Sequence, residues 1–336
     1  MRAAIVGIAG PTLDQAEAAL FRRHRPAGII LFARNVRDPE QMAALTASLR
    51  GVLPPHAVIA IDQEGGRVAR LRPPHWRAHP SAARLGAVFT RDEDAGLRAA
   101  WLSGALVGLD CAGAGLDVAC APVLDLRVPG AHEVVGDRAY SHDPDAVARM
   151  GRAVADGLLA AGVQPVAKHA PGHGRATVDS HLDLPRVGAA QDLGDDLRPF
   201  ASCAGLPWMM TAHLLYEGLD PVWPATLSAV VIRRVIRGRI GFEGVLVSDD
   251  LAMNALSGTP GERAAWAVAA GCDIAMHCSG ALSDAADVLA SSPDLSDAAL
   301  TRLAAARRMA AAARRTLDGG ALAAERDALL ADGATA

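Results

Sequence analysis

The chain of 336 residues contains almost no lysine. Its 33 lysine and arginine residues include a single lysine, Lys168, so arginine is used wherever any positive charge is sufficient. Lysine carries a compact point charge and arginine a wide planar fork, so the one retained ammonium indicates a place where a guanidinium would not fit. Lys168 begins the segment 168–181, the densest cluster of chemically capable side chains in the sequence. We therefore expect Lys168 to belong to a functional site.

Other features are scarce, and each scarcity excludes a class of protein. Aromatic residues make up only 4% of the chain, which predicts a short ligand rather than a long glycan that needs stacking platforms. The net charge of −4 provides no basic surface for nucleic acid or an anionic membrane. No apolar run reaches the roughly 20 residues that cross a bilayer, and the five cysteines form no Cys-x-x-Cys pair. We expect a cytoplasmic monomer with reduced cysteines and a small-molecule partner.

Hydrophobic residues are abundant, at 51%, and they form eight short apolar runs. Each run is typical of a strand buried on both faces, and the amphipathic or alanine-rich segments between them are typical of covering helices. The runs lie at 3–9, 27–33, 57–62, 116–124, 163–168, 208–213, 244–249 and 272–277. This alternation predicts an α/β fold, a single (β/α)₈ TIM-type barrel over residues 1–295. Residues 296–336 are expected to form a helical extension of the same domain, with a frayed end.

Polar residues follow these runs at their carboxyl ends, where the loops of a (β/α)₈ barrel build an active site. An open doubly wound sheet would instead gather them at one switch point, usually with a Gly-rich phosphate turn, and no such turn is evident. The long interval 64–115 also predicts a functional loop. The residues at the run ends are Asp62, Gln63, Glu64, Asp125, Lys168, His169, His213, Ser248, Asp249, Asp250 and His277.

Two sets of these residues indicate a specific chemistry. Asp179 and His181 are two positions apart, so in an extended segment they point the same way, and the carboxylate can orient and stabilise a protonated imidazole. Asp249 or Asp250 follows an apolar strand, where an unpaired carboxylate is costly to bury without a functional reason. Strand alternation does not decide between them. A carboxylate nucleophile with a separate proton donor is what double-displacement hydrolysis of a glycosidic bond requires.

Seven motifs, in the order of the predicted strands, resemble those of bacterial β-N-acetylhexosaminidases of the NagZ type, in glycoside hydrolase family 3. Each motif alone is modest, but seven in order are highly specific. They are Ile61-Asp62-Gln63-Glu64-Gly65-Gly66-Arg67-Val68, Ala121-Pro122-Val123-Leu124-Asp125, Gly136-Asp137-Arg138, Lys168-His169 with Pro171-Gly172-His173-Gly174, Asp179-Ser180-His181, Met210-Thr211-Ala212-His213 and Ser248-Asp249-Asp250-Leu251.

The resemblance implies a retaining exo-hydrolase that removes terminal β-linked N-acetylglucosamine from peptidoglycan fragments during cell-wall recycling, with no cofactor and no metal. It implies Asp249 as the nucleophile and His181 as the general acid/base, supported by Asp179. It also implies a set of residues that hold the sugar: Asp62, Arg70, Arg138, Lys168 and His169. The chain departs from the family pattern at Ala170, where phenylalanine is common, and at Arg175, where aspartate is usual, so closure of this loop is expected to differ.

Two other functions stay open at this point. A metal-dependent barrel hydrolase could use His169, His213 and His277 with Asp249 as ligands. The first strand contains no His-x-His pair, however, and His213 and His277 could equally be hydrogen-bonded core residues. The second alternative is a catalytically inactive sugar-binding barrel, against which the complete set of a nucleophile and an acid/base argues.

Overall fold

The structure is a computed structural model that describes residues 1–128, 130, 133–176, 184–189 and 192–331. Its strands, in chain order, are β1 Arg2–Gly7, β2 Pro26–Leu31, β3 Val58–Ile61, β4 Val118–Ala119, β5 Gln164–Ala170, β6 Arg186–Val187, β7 Trp208–Thr211, β8 Leu215–Tyr216, β9 Val245–Asp250 and β10 Ile274–His277. Eight of them close into a parallel barrel in the order β1, β10, β9, β7, β5, β4, β3, β2, while β6 and β8 pair separately. The predicted (β/α)₈ barrel is confirmed.

Helices surround the barrel, and several of them begin at residues that satisfy the free N–H groups of a helix start. Asp14 and Thr259 form capping boxes with Glu17 and Glu262. Within the described ranges, no helix combines the length and the apolar content that a membrane crossing requires. The α-helices are α1 Gln15–His24, α2 Pro39–Arg50, α3 Ala82–Arg91, α4 Glu93–Gly113, α5 Pro144–Ala160, α6 Gly194–Ser202, α7 Pro260–Ala270, α8 Leu282–Ser291, α9 Asp297–Ala313 and α10 Gly319–Ala331, and a π-type helix spans Val231–Arg239.

Two stretches differ from the sequence-based expectation. The apolar run 116–124 contains a strand of only two residues, because Pro122 has no N–H to donate to a ladder. The chain beyond it stays beside β5 through single hydrogen bonds, from Lys168 N to the Pro122 carbonyl at 3.1 Å and from Leu124 N to the Lys168 carbonyl at 2.7 Å.

The long interval 64–115 is largely helical, since α3 and α4 occupy most of it. The loop that leaves β3 therefore extends only to Ser81.

The barrel interior is filled by alternate residues of its strands, as the pleat requires. The cluster includes Ala3, Ile5, Ala27, Ile30, Val58, Ala60, Val118, Cys120, Val166, Trp208, Met210, Val245, Val247, Ile274 and Met276, and it continues into Leu303 and its neighbours on α9. Arg302 on α9 donates to Asp273 at 2.7 Å and to the Glu243 carbonyl at 3.0 Å, next to the amino ends of β10 and β9. Helix α9 therefore covers the amino end of the barrel, opposite the face that carries the polar strand ends.

We predict that Leu303→Ala lowers the free energy of unfolding by about 2–5 kcal/mol, because it opens a cavity between α9 and the barrel interior. Leu303 is 2% exposed. Leu300→Ala on the same helix is the matched control: Leu300 is 41% exposed, so the change should stay within about 0.5 kcal/mol. Urea unfolding of both variants measures the difference. Equal losses in the two variants would show that α9 does not seal the barrel.

Candidate active site

Strand alternation carries several charged side chains into the carboxyl end of the barrel. Val58 and Ala60 of β3 face the interior, so Asp62 and Glu64 continue on that side. In the same way, Val166 of β5 precedes Lys168. A cavity of about 170 Å³ opens above the apolar interior at this end. It is lined by charged and polar residues that include Asp62, Arg70, Arg138, Lys168, His169 and Asp249, and by the apolar side chains of Ile30, Cys120, Met210, Met276 and Cys278.

The Lys168 ammonium lies between two carboxylates. Its Nζ donates to Asp62 Oδ1 at 2.7 Å and forms an ion pair with Glu64 Oε1 at 2.6 Å, while the side chain is only 3% exposed. Burial would lower the pKa of this ammonium, but Asp62 and Glu64 raise it above its ordinary value. Lys168 is therefore charged at neutral pH. Two of its three N–H groups are used by these carboxylates, which leaves one for a ligand in the cavity.

Two arginines complete this charged cluster. Arg70 Nη2 donates to Asp62 Oδ2 at 2.6 Å. Arg138 donates two hydrogen bonds to Glu64, from Nε to Oε2 at 2.9 Å and from Nη2 to Oε1 at 2.7 Å. The loop that carries Arg70 is fixed by Gln63, whose Oε1 accepts the backbone N–H of Arg70 at 2.6 Å. Because each carboxylate is held by two cations, both stay ionised although their side chains are only 19% and 9% exposed.

A second polar cluster fixes the exit of β5. Asp125 is fully buried and accepts from His169 N at 3.2 Å, from His169 Nδ1 at 2.7 Å and from His173 N at 2.7 Å. Burial would raise the pKa of Asp125, but His169 lowers it, so its carboxylate accepts the Nδ1 hydrogen of His169. That bond leaves Nε2 as the other polar atom of the His169 ring, a residue that lines the cavity. Burial lowers the pKa of His173 to about 4, so this ring is neutral.

The structure distinguishes Asp249 from Asp250, which the sequence left open. Val247 of β9 faces the interior, and Asp249 lies two residues further along the same face. The carboxylate of Asp250 is occupied, because its Oδ1 accepts the backbone N–H groups of Ala252 at 2.8 Å and Cys278 at 2.9 Å. Asp249 Oδ1 accepts one N–H, from Asp250 at 2.8 Å. Its Oδ2 has no hydrogen-bond partner among the residues that the structure describes, so it is available to a ligand.

The surroundings of Asp249 keep it ionised. Burial would raise the pKa of this carboxyl, but His169, the backbone N–H of Asp250 and Lys168 lower it below its ordinary value. His213 itself is a buried residue with both nitrogens bonded, Nδ1 to Thr226 Oγ1 at 2.8 Å and Nε2 to the Asp250 carbonyl at 2.9 Å. Burial lowers the pKa of His213, so it is neutral, with Nε2 donating and Nδ1 accepting. His213 therefore supports the backbone beside Asp249 rather than facing the cavity.

Within the described ranges, no group of three or more His, Cys, Asp or Glu side chains could hold a metal ion. The three histidines of the metal hypothesis do not point to one place. His277 alternates along β10 with the interior residues Ile274 and Met276, so it points towards the helices. Its Nδ1 lies 3.4 Å from Ser279 Oγ.

Of the predicted site residues, the structure brings six to one cavity: Asp62, Arg70, Arg138, Lys168, His169 and Asp249. Asp179 and His181 lie outside the described residues. Sequence reasoning did not assign roles to Glu64 and Asp125, although both stood in the quoted motifs. The spacing of Glu64 from Asp62, two positions on one strand end, was the signal for the first. The unusual Arg175 donates to the buried Asp196 on α6 at 2.7 Å, so its charge connects the loop to that helix.

We predict that Lys168→Arg destabilises the fold by about 1–3 kcal/mol although the charge is kept, because a guanidinium overfills a site that already holds two arginines. Urea unfolding measures the change. Arg152→Lys on α5 is the control, since Arg152 is 51% exposed and the exchange there should cost less than about 0.5 kcal/mol. If Lys168→Arg unfolds at the same urea concentration as the unmodified chain, the steric explanation for the single lysine is wrong.

A pH dependence follows from Glu64. Burial would raise its pKa, but Arg138 and Lys168 lower it to about 2, below the roughly 4.3 of an unfolded glutamate. A lowered pKa in the folded state stabilises the fold above the unfolded value, and this contribution is lost as the pH falls towards the folded value.

We therefore expect Glu64→Gln to lower the free energy of unfolding by about 2–3 kcal/mol at neutral pH and progressively less below about pH 4.5. Urea unfolding from neutral pH down to about pH 3 tests this. The exposed Glu243→Gln is the control and should track the unmodified chain. A Glu64→Gln effect that does not change with pH would contradict the assignment.

Comparisons with known proteins agree with this geometry. The family model described as the glycosyl hydrolase family 3 N terminal domain matches residues 4–312. A β-hexosaminidase of Alkalilimnicola ehrlichii is 42% identical over 280 residues, which cover 82% of this chain and 80% of that protein. A β-hexosaminidase of Bordetella parapertussis is 37% identical over 305 residues, covering 89% of this chain and 82% of that protein.

Solved structures resemble the whole fold. NagZ from Neisseria gonorrhoeae, in complex with N-trifluoroacetyl-D-glucosamine, superposes with a TM-score of 0.85 at 33% identity, covering 98% of this chain and 97% of that one. A β-N-acetylhexosaminidase from Beutenbergia cavernae gives a TM-score of 0.75 at 27% identity, covering 97% and 96%. The closed barrel, the cavity at its carboxyl end and these matches agree: the chain belongs to glycosyl hydrolase family 3 and is a glycoside hydrolase of the β-hexosaminidase group.

Proposed function

We propose that the chain is a retaining exo-β-N-acetylglucosaminidase of the cytoplasm. Its substrates would be peptidoglycan fragments with terminal β-linked N-acetylglucosamine, notably the disaccharide with 1,6-anhydro-N-acetylmuramic acid, and it would act in cell-wall recycling as a monomer. The names of the relatives support hexosaminide chemistry, and the N-acetylglucosamine analogue bound to the Neisseria gonorrhoeae protein supports the sugar type.

The observation that carries the proposal is the Asp249 carboxylate in the cavity. It is ionised because its pKa is lowered, and its Oδ2 has no partner within the described part of the chain. An ionised oxygen with a free lone pair is what attack on an anomeric carbon requires. The cationic cluster beside it offers N–H donors to sugar hydroxyls, among them the third N–H of Lys168. A binding site alone would not need an open carboxylate at this position.

The mechanism uses two groups in two steps. In the first, Asp249 Oδ2 bonds to the anomeric carbon while the bond to the leaving oxygen breaks and His181, supported by Asp179, gives that oxygen a proton. In the second step, His181 takes a proton from water. The water oxygen bonds to the anomeric carbon, and the ester to Asp249 breaks. Asp62, Arg70, Arg138, Lys168 and His169 would hold the hydroxyls and the N-acetyl group of the sugar.

We predict that the chain hydrolyses p-nitrophenyl N-acetyl-β-D-glucosaminide and that Asp249→Asn lowers kcat by at least about 10³-fold, because the amide is a poor nucleophile. Asp250→Asn is the matched control and should retain far more activity, since the Asp250 carboxylate is bonded to backbone N–H groups. A 5-fluoro sugar should label the peptide that contains Asp249, as mass spectrometry would show. A label found only on another acidic residue would overturn the assignment.

The same assay separates the two alternatives. A metal-dependent hydrolase would lose activity in a chelator, whereas the proposed mechanism keeps it. A catalytically inactive sugar-binding barrel would bind N-acetylglucosamine and release no p-nitrophenol with any variant.

A further inference from the structure

Two of the five tryptophans of the chain form an exposed pair outside the catalytic cavity. Trp223 is 44% exposed and Trp266 37% exposed, and their ring centroids are 6.0 Å apart with the planes tilted by 58°. Val222, beside Trp223, is 68% exposed. Neighbouring exposed tryptophans are unusual on a protein surface and often mark a binding site. We call Trp223 and Trp266 the aromatic ledge.

The backbone that carries Trp223 is held rigidly and connects directly to the active site. Asp220 Oδ1 accepts the N–H of Trp223 at 3.0 Å, and Asp220 Oδ2 accepts from Ser228 at 2.6 Å. Three residues after Trp223, Thr226 bonds to His213, whose Nε2 bonds to the Asp250 carbonyl. Three residues span at most about 11 Å, so Trp223 lies within this distance of Thr226. Thr226 bonds to His213, the residue that supports the end of β9.

Trp266 is connected to the cavity from the other side. Met253 lines the cavity, and its carbonyl accepts from Arg263 on α7 at 3.2 Å. Arg263 also donates to the Gly258 carbonyl at 3.1 Å. Gly258 packs on the Trp266 ring so closely that a Cβ there would meet the ring at 2.8 Å. The loop that leaves β9 thus runs from Met253, which lines the cavity, to Gly258, which contacts the aromatic ledge, and these five residues span at most about 18 Å.

We propose that the aromatic ledge is a remote subsite that stacks a sugar ring on the leaving-group side of an oligosaccharide. This inference rests on the proposed function and extends its substrates to β-linked N-acetylglucosamine oligomers longer than a disaccharide. The flat apolar faces of a pyranose suit the faces of tryptophan, which offer contact area at little entropic cost. A second copy of the chain is a weaker occupant, because three side chains fall far below the roughly 800 Å² per partner of a stable interface.

The test compares a substrate that cannot reach the aromatic ledge with one that can. Wild type, Trp223→Ala and Trp266→Ala are assayed with p-nitrophenyl N-acetyl-β-D-glucosaminide and with N,N′,N″,N‴-tetraacetylchitotetraose. We expect each variant to lower kcat/KM for the tetrasaccharide by about 3- to 10-fold, as the loss of one aromatic stacking contact predicts. The value for the aryl glycoside should stay within about 2-fold, because this substrate has no distant sugar.

Controls keep the outcomes distinct. Trp223→Phe and Trp266→Phe retain an aromatic face and should restore most of the tetrasaccharide activity, whereas Trp101→Ala on α4, where the ring lies under Arg98, should leave the ratio of the two substrates unchanged. An unchanged tetrasaccharide value, or an equal loss with both substrates, would overturn the subsite. Sedimentation that shows a wild-type dimer and monomeric ledge variants would also overturn it. Failure of wild type to cleave the aryl glycoside would instead reject the proposed function.

Discussion

The ion pairs of Lys168 with Asp62 and Glu64 are the interaction on which the rest of the site depends. Two largely buried carboxylates side by side would repel each other, and one would take up a proton. With Lys168, Arg70 and Arg138 the cluster has three positive charges against two negative ones, so one positive charge remains beside Asp249. Lys168 contributes to lowering the pKa of Asp249, and the nucleophile candidate is therefore ionised in a half-buried position. A neutral residue at 168 would leave two positive charges against two negative ones, and the excess positive charge beside Asp249 would be lost.

The second requirement is a fixed exit from β5. Asp125 binds the backbone of both His169 and His173, and the Tyr216 hydroxyl donates to the Gly172 carbonyl at 2.5 Å. The peptide bond between Lys168 and His169 is cis. These contacts hold the chain that leaves the strand from two directions, so His169 is presented to the cavity in one orientation. Asp125 does not line the cavity. It acts on the site by orienting His169 and the backbone of the loop.

The sequence predicts what depends on local pattern. The eight apolar runs predict the barrel, because both faces of its strands are buried. The polar residues at the ends of the runs predict the site, because parallel strands end at one face. Hydrogen bonds between residues far apart in the sequence cannot be predicted from a local pattern. Nothing in the sequence showed that Asp250 would be taken by the N–H of Cys278, 28 residues away, or that Arg138 would reach Glu64 across 74. Low aromatic content argued against a stacking surface, yet Trp223 and Trp266, 43 positions apart, meet through the packing of α7.

The shape of the cavity supports action at a chain end. Its inner wall is the apolar layer of the barrel, with Met210 and Met276, and this layer continues downward into close-packed side chains and α9. A glycan therefore cannot thread through the barrel, which favours the proposed attack of Asp249 on a terminal sugar. In the proposed function the charged cluster at this closed end binds the hydroxyls of that one sugar, whereas the aromatic ledge lies outside the cavity and contacts more distant sugars. Polar recognition of the terminal sugar and apolar contact with the distant ones are thus separated in space. Under this proposal the first sets which bond is cleaved, and the second sets which length of substrate is preferred.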